Sequence, residues 1–434
     1  MPRSHRSRRL RRPLLVSALL ALTLSPAGLT ARNAWDGPAF SSDPEALMRA
    51  ASAVPGNQGE GVAVLFLESA YRYDEAGRET LTQRIVYRIL SAAAHESWSV
   101  VEERWSPWHQ ARPEIRVRVL TPDGAEHRLA PAAIANRAAG RDSLDRRVLR
   151  VPLPGIRPGA VVEQEVTIRD NAPFFDRGVV RAQELDDRVT VRHARVVVDA
   201  PVGMPLHWVV RGLEGVQTTE SVSRERRRVV FEAHDLPARL HPASVAFSTG
   251  RSWADVARRY SDIVDQAIRG SDLRSFLRSA GGPAASQLDL MRLYLARVSR
   301  EIRYTGTELD EGRLVPRKPA ETLRRRLGDC KDKAVLLTAM LRAAGIPAYV
   351  ALLSAGEGEP DVEGSLPGLG AFNHAIVVVP GHPAVWIDPT DPDSRAGELP
   401  AGDQGRLALI ASPSTVGLVR TPTAAGEAGT ARAR

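Results

Sequence analysis

The sequence predicts an α+β protein in two parts, an all-β sandwich-like domain followed by a domain of helices and a small sheet. Three observations carry this. From Gly61 to about Phe231, short runs of β-branched and aromatic residues are punctuated by Gly, Pro and Asp turns, as in a sandwich. After Pro242, apolar residues recur at the three- and four-residue spacing of amphipathic helices. Between Lys331 and Ala344 the chain is apolar on almost every face (AVLLTAMLRAA), a pattern that marks a buried helix.

The 434 residues, 43% hydrophobic and 25% charged, suit two or three globular domains and exclude wholesale disorder. The net charge of +8 is concentrated at the start, where Arg3, Arg6, Arg8, Arg9, Arg11 and Arg12 precede Pro13. Without those six arginines the balance is +2, so no basic patch for nucleic acid is expected. The basic stretch, the apolar run Leu14 to Leu24 and the small residues up to Ala31 form the three parts of a secretory signal over residues 1–31. The run is shorter than the roughly 20 residues that span a bilayer. Export to the periplasm or cell envelope is therefore expected. An uncleaved anchor stays open as the only route to membrane contact.

Residues 32–58, rich in Ala, Gly, Pro and Ser, are expected to be a flexible lead-in. The β-rich domain follows over 59–245. Val62 to Tyr73 and Leu81 to Leu90 read as a hairpin through Asp74 to Gly77. Further strands are expected at Glu114 to Leu120, Val161 to Ile168, Thr190 to Val198, Leu206 to Val210 and Arg227 to Phe231. The second domain, 250–411, has helices at Trp253 to Ile268, Leu288 to Glu301, Ala320 to Leu327 and Lys331 to Ala344. Strands follow at Pro347 to Leu353, His374 to Val379 and Val385 to Asp388, with a Gly-, Glu- and Pro-rich loop from Ser354 to Ala371. The tail, 412–434, is small, polar and expected to be disordered.

The chain has one cysteine, so no internal disulfide can form, and a lone thiol is kept either because it is inert or because it reacts. Cys330 stands at the start of the buried helix, where unpaired N–H groups and the helix dipole favour thiolate. Gly328 is expected to let the backbone bend into that helix. Only three lysines occur, Lys318, Lys331 and Lys333, and the latter two flank the thiol and add positive field. His374 begins one strand and Asp388 closes the next, an order that lets a carboxylate orient an imidazole facing the thiol. A capping cysteine, a strand-edge histidine and an Asx turn before Pro389 remain the competing readings. Asp388, Asp391 and Asp393 lack the spacing of a calcium loop, and one cysteine without paired histidines leaves no structural zinc site. No metal and no cofactor is expected.

The stretches IRYTG (302–306), RKPAETLRRRLGDCKDKAVLLTAMLRAAGIPAYVALL (317–353), FNHAIVVV (372–379) and WIDPTDP (386–392) resemble the transglutaminase-like superfamily core of bacterial exported proteins. Upstream, LPGIRPGAVVEQEVTI (153–168) resembles the β-rich domain of unknown function that often precedes it. The resemblance implies a papain-like fold with Cys330 as nucleophile, His374 as base and Asp388 as third member. It implies acyl transfer from a peptide or isopeptide amide through a thioester, to water or to an amine. Oxyanion donors would be the Cys330 N–H and Tyr304, with Lys331 and Asp329 in support. A non-catalytic scaffolding protein of the cell envelope is the alternative. A cell-wall peptidase of another papain-like lineage fits the Cys-Lys-Asp-Lys sequence poorly.

Overall fold

The computed structural model describes residues 33–423 except 57–58, 139–145, 187–188, 274–275, 278–285 and 306–313. The expected leader and the end of the tail lie outside the described residues. Among the described residues, no helix is long and apolar enough to cross a membrane.

The β-rich half is built on an eight-stranded sheet. Its order is Gln217–Val222, Arg226–Leu236, Val191–Pro201, Val62–Tyr73, Glu79–Ile89, Val161–Arg169, Glu114–Leu120 and Glu126–Arg128. Only Val62–Tyr73 and Val191–Pro201 pair in parallel; the other neighbours are antiparallel. The first hairpin turns where the sequence predicts it. Asp74 Oδ1 accepts from the N–H groups of Ala76 and Arg78, and Gly77 takes a left-handed φ of 80°. One face of the sheet packs on two three-stranded sheets, and Tyr73, Val198, Leu149, Val151 and Phe247 share one core. Trp105 is buried in this core, and Trp98 lies against Tyr87.

The opposite face corrects an expectation. The lead-in is not loose, because Pro44–Ala53 is a helix, α1, capped by Asp43, whose side chain accepts from the Ala46 N–H. Leu47 and Ala51 of α1, with Trp35, cover Leu65, Phe66, Val86 and Leu120. Under this cover Glu163, 2% exposed, bonds Arg84 at 2.7 Å, Arg118 at 2.6 Å and the Phe40 N–H at 2.8 Å. The sheet face presents charges that need partners, and the lead-in closes over them.

The second half contains helices α2 (Trp253–Ile268), α3 (Gln287–Glu301), α4 (Pro319–Arg325) and α5 (Cys330–Ala343). Ser252 and Ser286 cap α2 and α3 by accepting from the N–H groups of Asp255 and Asp289. An antiparallel sheet follows in the order Val385–Ile387, His374–Val379, Tyr349–Leu353, Leu407–Ile410 and Val419–Arg420. Helix α5 lies against this sheet and is flanked by α2, α3 and α4, which is why it is apolar all round. It ends as expected at Gly345, φ 80°, with the Ile346 N–H on the Leu341 carbonyl. The tail is another correction. Val419–Arg420 adds an edge strand, and Thr421 is buried with its hydroxyl on the Asp403 carbonyl.

The Gly-rich loop from 354 to 371 is a seam between the two halves. Leu369 exchanges backbone hydrogen bonds with Gly178 and Val180, and Trp253 Nε1 donates to the Gly364 carbonyl at 2.8 Å. A Cβ on Gly250 would sit 2.1 Å from the Pro367 oxygen, so this closeness depends on glycine. Gly250→Ala is therefore expected to destabilise the protein by about 1–3 kcal/mol. An unchanged urea midpoint would show that the seam contributes little.

Candidate active site

Cys330 is the first residue of α5 and is fully buried. Asp329 is the N-cap, with Oδ1 accepting from the Asp332 N–H at 3.1 Å. Gly328 has no left-handed φ, so its role differs from the expected bend. A Cβ there would press within 3.0 Å of Asp332 and 3.2 Å of Thr322, so the glycine lets α4 and α5 approach. Gly328 also pairs in parallel with Tyr304. The Tyr304 ring is 39% exposed, beside the helix start and not enclosed with the thiol.

The lysines do more than add field at the thiol. Lys331 is buried with Nζ 2.5 Å from Asp329 Oδ2. Burial pushes its pKa down, but the Asp329 carboxylate, with Cys330 beside it, more than offsets this and keeps it charged. Its charge is thus shared between the N-cap carboxylate, which it bonds, and the sulfur, on which it acts through space. Asp332, one turn in, accepts from the backbone and the guanidinium of Arg317, both at 2.8 Å. Burial lowers the pKa of Lys333, opposed by the charge of Asp388.

Two strands supply the partners. Val378 faces Trp386 and Val377 faces Ile387 across antiparallel neighbours, so His374, which begins one strand, and Asp388, which follows the other, come to the same end of the sheet. Ile376, Val378 and Trp386 pack with Leu399 on one face of this pair, and α5 packs on the other with Ala375, Val377 and Ile387. His374 sits at the strand end, where its ring neighbours both Cys330 on α5 and Asp388. The site therefore straddles the end of the sheet.

His374 Nε2 lies 3.3 Å from Asp388 Oδ2. Asp388 Oδ1 accepts from both the N–H and the hydroxyl of Thr390, each at 2.8 Å. Burial alone would drive the His374 pKa down, but the bonds to Asp388 and Cys330 and their negative charge raise it well above its ordinary 6.5. Asp388 is held below the ordinary carboxylate range, because its bonds to His374 and Thr390 outweigh burial. The structure thus brings Cys330, His374 and Asp388 together in the order an activated nucleophile requires, thiol, imidazole and carboxylate. Asp329 and Lys331 buttress the helix start, and Tyr304 stands at its margin.

One member was not singled out from the sequence, although the stretch 397–410 that holds it also fits the resemblance. Asp403, in the short turn Ala401–Asp403, has its carboxyl beside His374 and Asp388. Nitrogen or oxygen atoms of His374, Asp388 and Asp403 all lie within 4.8 Å of one another. Such spacing would reach a cation, but Asp388 is already committed to Thr390 and His374, so the cluster is read as a hydrogen-bond chain.

Residues 75–239 match the family described as a domain of unknown function with solved structure (DUF3857), and residues 274–388 match the transglutaminase-like superfamily. The crystal structure of a candidate protease from Parabacteroides distasonis aligns over 84% of this chain and 72% of its own, with a TM-score of 0.69 at 16% identity. That likeness shows a shared fold. A candidate cysteine protease from Cytophaga hutchinsonii aligns over 74% and 89% of the two chains at 10% identity, with a TM-score of 0.20. An M1 zinc metallopeptidase from Deinococcus radiodurans covers 44% and 43% at 12% identity, with a TM-score of 0.24. These two add nothing to the fold assignment. No curated protein matches the chain. With the β-rich half matched by one family and the helix-and-sheet half by the other, the chain is a DUF3857 domain followed by a member of the transglutaminase-like superfamily.

Proposed function

We propose that this protein is a thiol-dependent amide hydrolase, or an acyltransferase of the same chemistry, acting on peptide or isopeptide bonds. The observation that carries the reading is the placement of the His374 ring, with Nε2 3.3 Å from Asp388 Oδ2 and its proton held by the neighbouring Asp388 and Cys330. In the first step the Cys330 sulfur attacks the amide carbonyl and a C–S bond forms. The His374 imidazolium gives its proton to the departing nitrogen as the C–N bond breaks. In the second step water attacks the thioester while His374 takes its proton. The C–S bond breaks, the carboxylate leaves and the thiol is restored. An amine replacing water gives transfer. Backbone N–H groups at the start of α5 supply oxyanion contacts. Water is the default acceptor, so hydrolysis is favoured. The leader-like residues 1–31 support export, which N-terminal sequencing of protein recovered from the cell envelope would test.

The cover over Cys330 has a consequence, since an amide reaches a buried sulfur only if the covering side chains move. It also favours a second reading, a binding protein in which the thiol never reacts. Because the thiol is unique, intact mass after iodoacetamide treatment decides between them. Rapid single alkylation of the folded protein, with a bulky maleimide slowed relative to free cysteine, is the expected result. A thiol inert until unfolding, together with no cleavage of a peptide library and no labelled-amine incorporation, would leave only the binding reading.

A further inference from the structure

The thiol chain described above ends on Asp388, but the structure continues it by one group. Asp403 is 3% exposed, and its backbone is pinned on both sides. Its N–H donates to the Pro400 carbonyl at 3.0 Å, and its carbonyl accepts from the Thr421 hydroxyl at 2.6 Å. The turn is braced by Arg406, whose guanidinium donates to the carbonyls of Gly402, Gly356 and Glu359 and so is engaged with backbone oxygens. Asp403 Oδ2 receives no hydrogen bond from any donor among the described residues. An oxygen of its carboxyl instead lies within 4.8 Å of an oxygen of the Asp388 carboxyl, inside the same buried cluster, where the two acceptors can bond each other only if one of them carries a proton. The groups facing this pair are His374 from its strand, Asp391 from the loop after Val385–Ile387 and Lys333 from α5, the last acting on Asp388.

We propose that Asp403 is a positioning residue of this site, acting on His374 through Asp388 as the second half of a buried carboxyl pair that shares one proton. The inference rests on the thiol reading for its purpose, but its geometry stands apart from turnover. Two carboxyls this close do not both ionise readily. Asp388, bonded to His374 and Thr390, keeps the charge, and Asp403 keeps the proton. Burial and the neighbouring Asp388 push Asp403 up to about 7, with His374 opposing. Below that pH, protonated Asp403 holds Asp388 in place against the ring. Above it, the proton leaves to water, a second negative charge appears beside His374, and the imidazolium is retained more firmly.

The test uses the full chain without substrate. His374 ring signals are followed by NMR from pH 5 to 9 in wild type and Asp403→Asn, whose amide can still donate to Asp388 but cannot titrate. The wild-type ring should show an inflection near pH 7, and Asp403→Asn should lose it while the ring's own titration remains. Should the variant fail to fold, wild-type protein carrying 13C-labelled aspartate answers the same question. One aspartate carboxyl should titrate near neutrality in step with the ring. Identical ring curves in the two folded proteins, or no aspartate carboxyl titrating near neutrality, would overturn the proposal. If the inflection appears but no amide is ever cleaved or transferred, the carboxyl pair stands and the enzymatic reading falls. If turnover is found and the ring curves coincide, the carboxyl pair falls and the enzymatic reading stands.

Discussion

His374→Ala is expected to lower turnover of an amide substrate by about 10³- to 10⁴-fold, with substrate affinity little changed. The ring neighbours both the thiol and the carboxylate, so its loss removes proton transfer in both steps and separates Cys330 from Asp388. Steady-state kinetics check this, and a variant within tenfold of wild type would sink the assignment. A pH signature accompanies the kinetic one. The folded ring holds its proton well above the ordinary 6.5, so that proton adds stability fully present below 6.5 and lost as pH rises through the folded value. Asp388 behaves oppositely. Its depressed pKa adds stability present above the ordinary 3.8 and lost as pH falls through the folded value. Asp388→Asn should therefore flatten the stability profile at both ends, as read by urea unfolding across pH. A variant curve parallel to wild type would count against the pair.

The largest effect on stability is expected far from the thiol. Glu163→Ala leaves Arg84 and Arg118, 4% and 2% exposed, as buried cations facing each other without the carboxylate that bonded both. Breaking a buried ion pair by removing one partner costs about 3–5 kcal/mol, and the Phe40 N–H also loses its acceptor. Glu102, paired with Arg150 on the surface at 50% and 56% side-chain exposure, is the control. Its replacement by Ala should change stability by no more than about 1 kcal/mol. Chemical denaturation of both variants decides the matter. Equal, small losses would mean that the sheet face under α1 relaxes to admit water.

Some of this was legible before any coordinates. The period change after Pro242, the all-round apolar run at 334–344 and the Gly345 stop located the buried helix within one residue, because local patterning and capping dictate helix ends. His374 at a strand start and Asp388 past the next strand could be paired from the sequence, because antiparallel neighbours bring such ends together. Other positions were misread for an identifiable reason. Residues 44–53 look like an Ala-rich linker, since the partners that order them and the segment just before them, Leu65, Phe66, Val86 and Leu120 with Arg118 and Glu163, come together only when the sheet is assembled. The Ser354 to Ala371 loop reads as polar filler until the β-rich half is placed against it.

By itself the sequence determined the order of the elements and singled out one thiol with a histidine and an aspartate that could face it, since these follow from residue type, periodicity and chain order. Only the tertiary structure decided how those groups are charged and what surrounds them. Lys331 is turned to Asp329, Asp403 joins the far face, and the sulfur lies beneath a cover. Electrostatic effects depend on distance and burial, and residues 330, 374, 388 and 403 become neighbours only when the sheet end and the helix start are packed together.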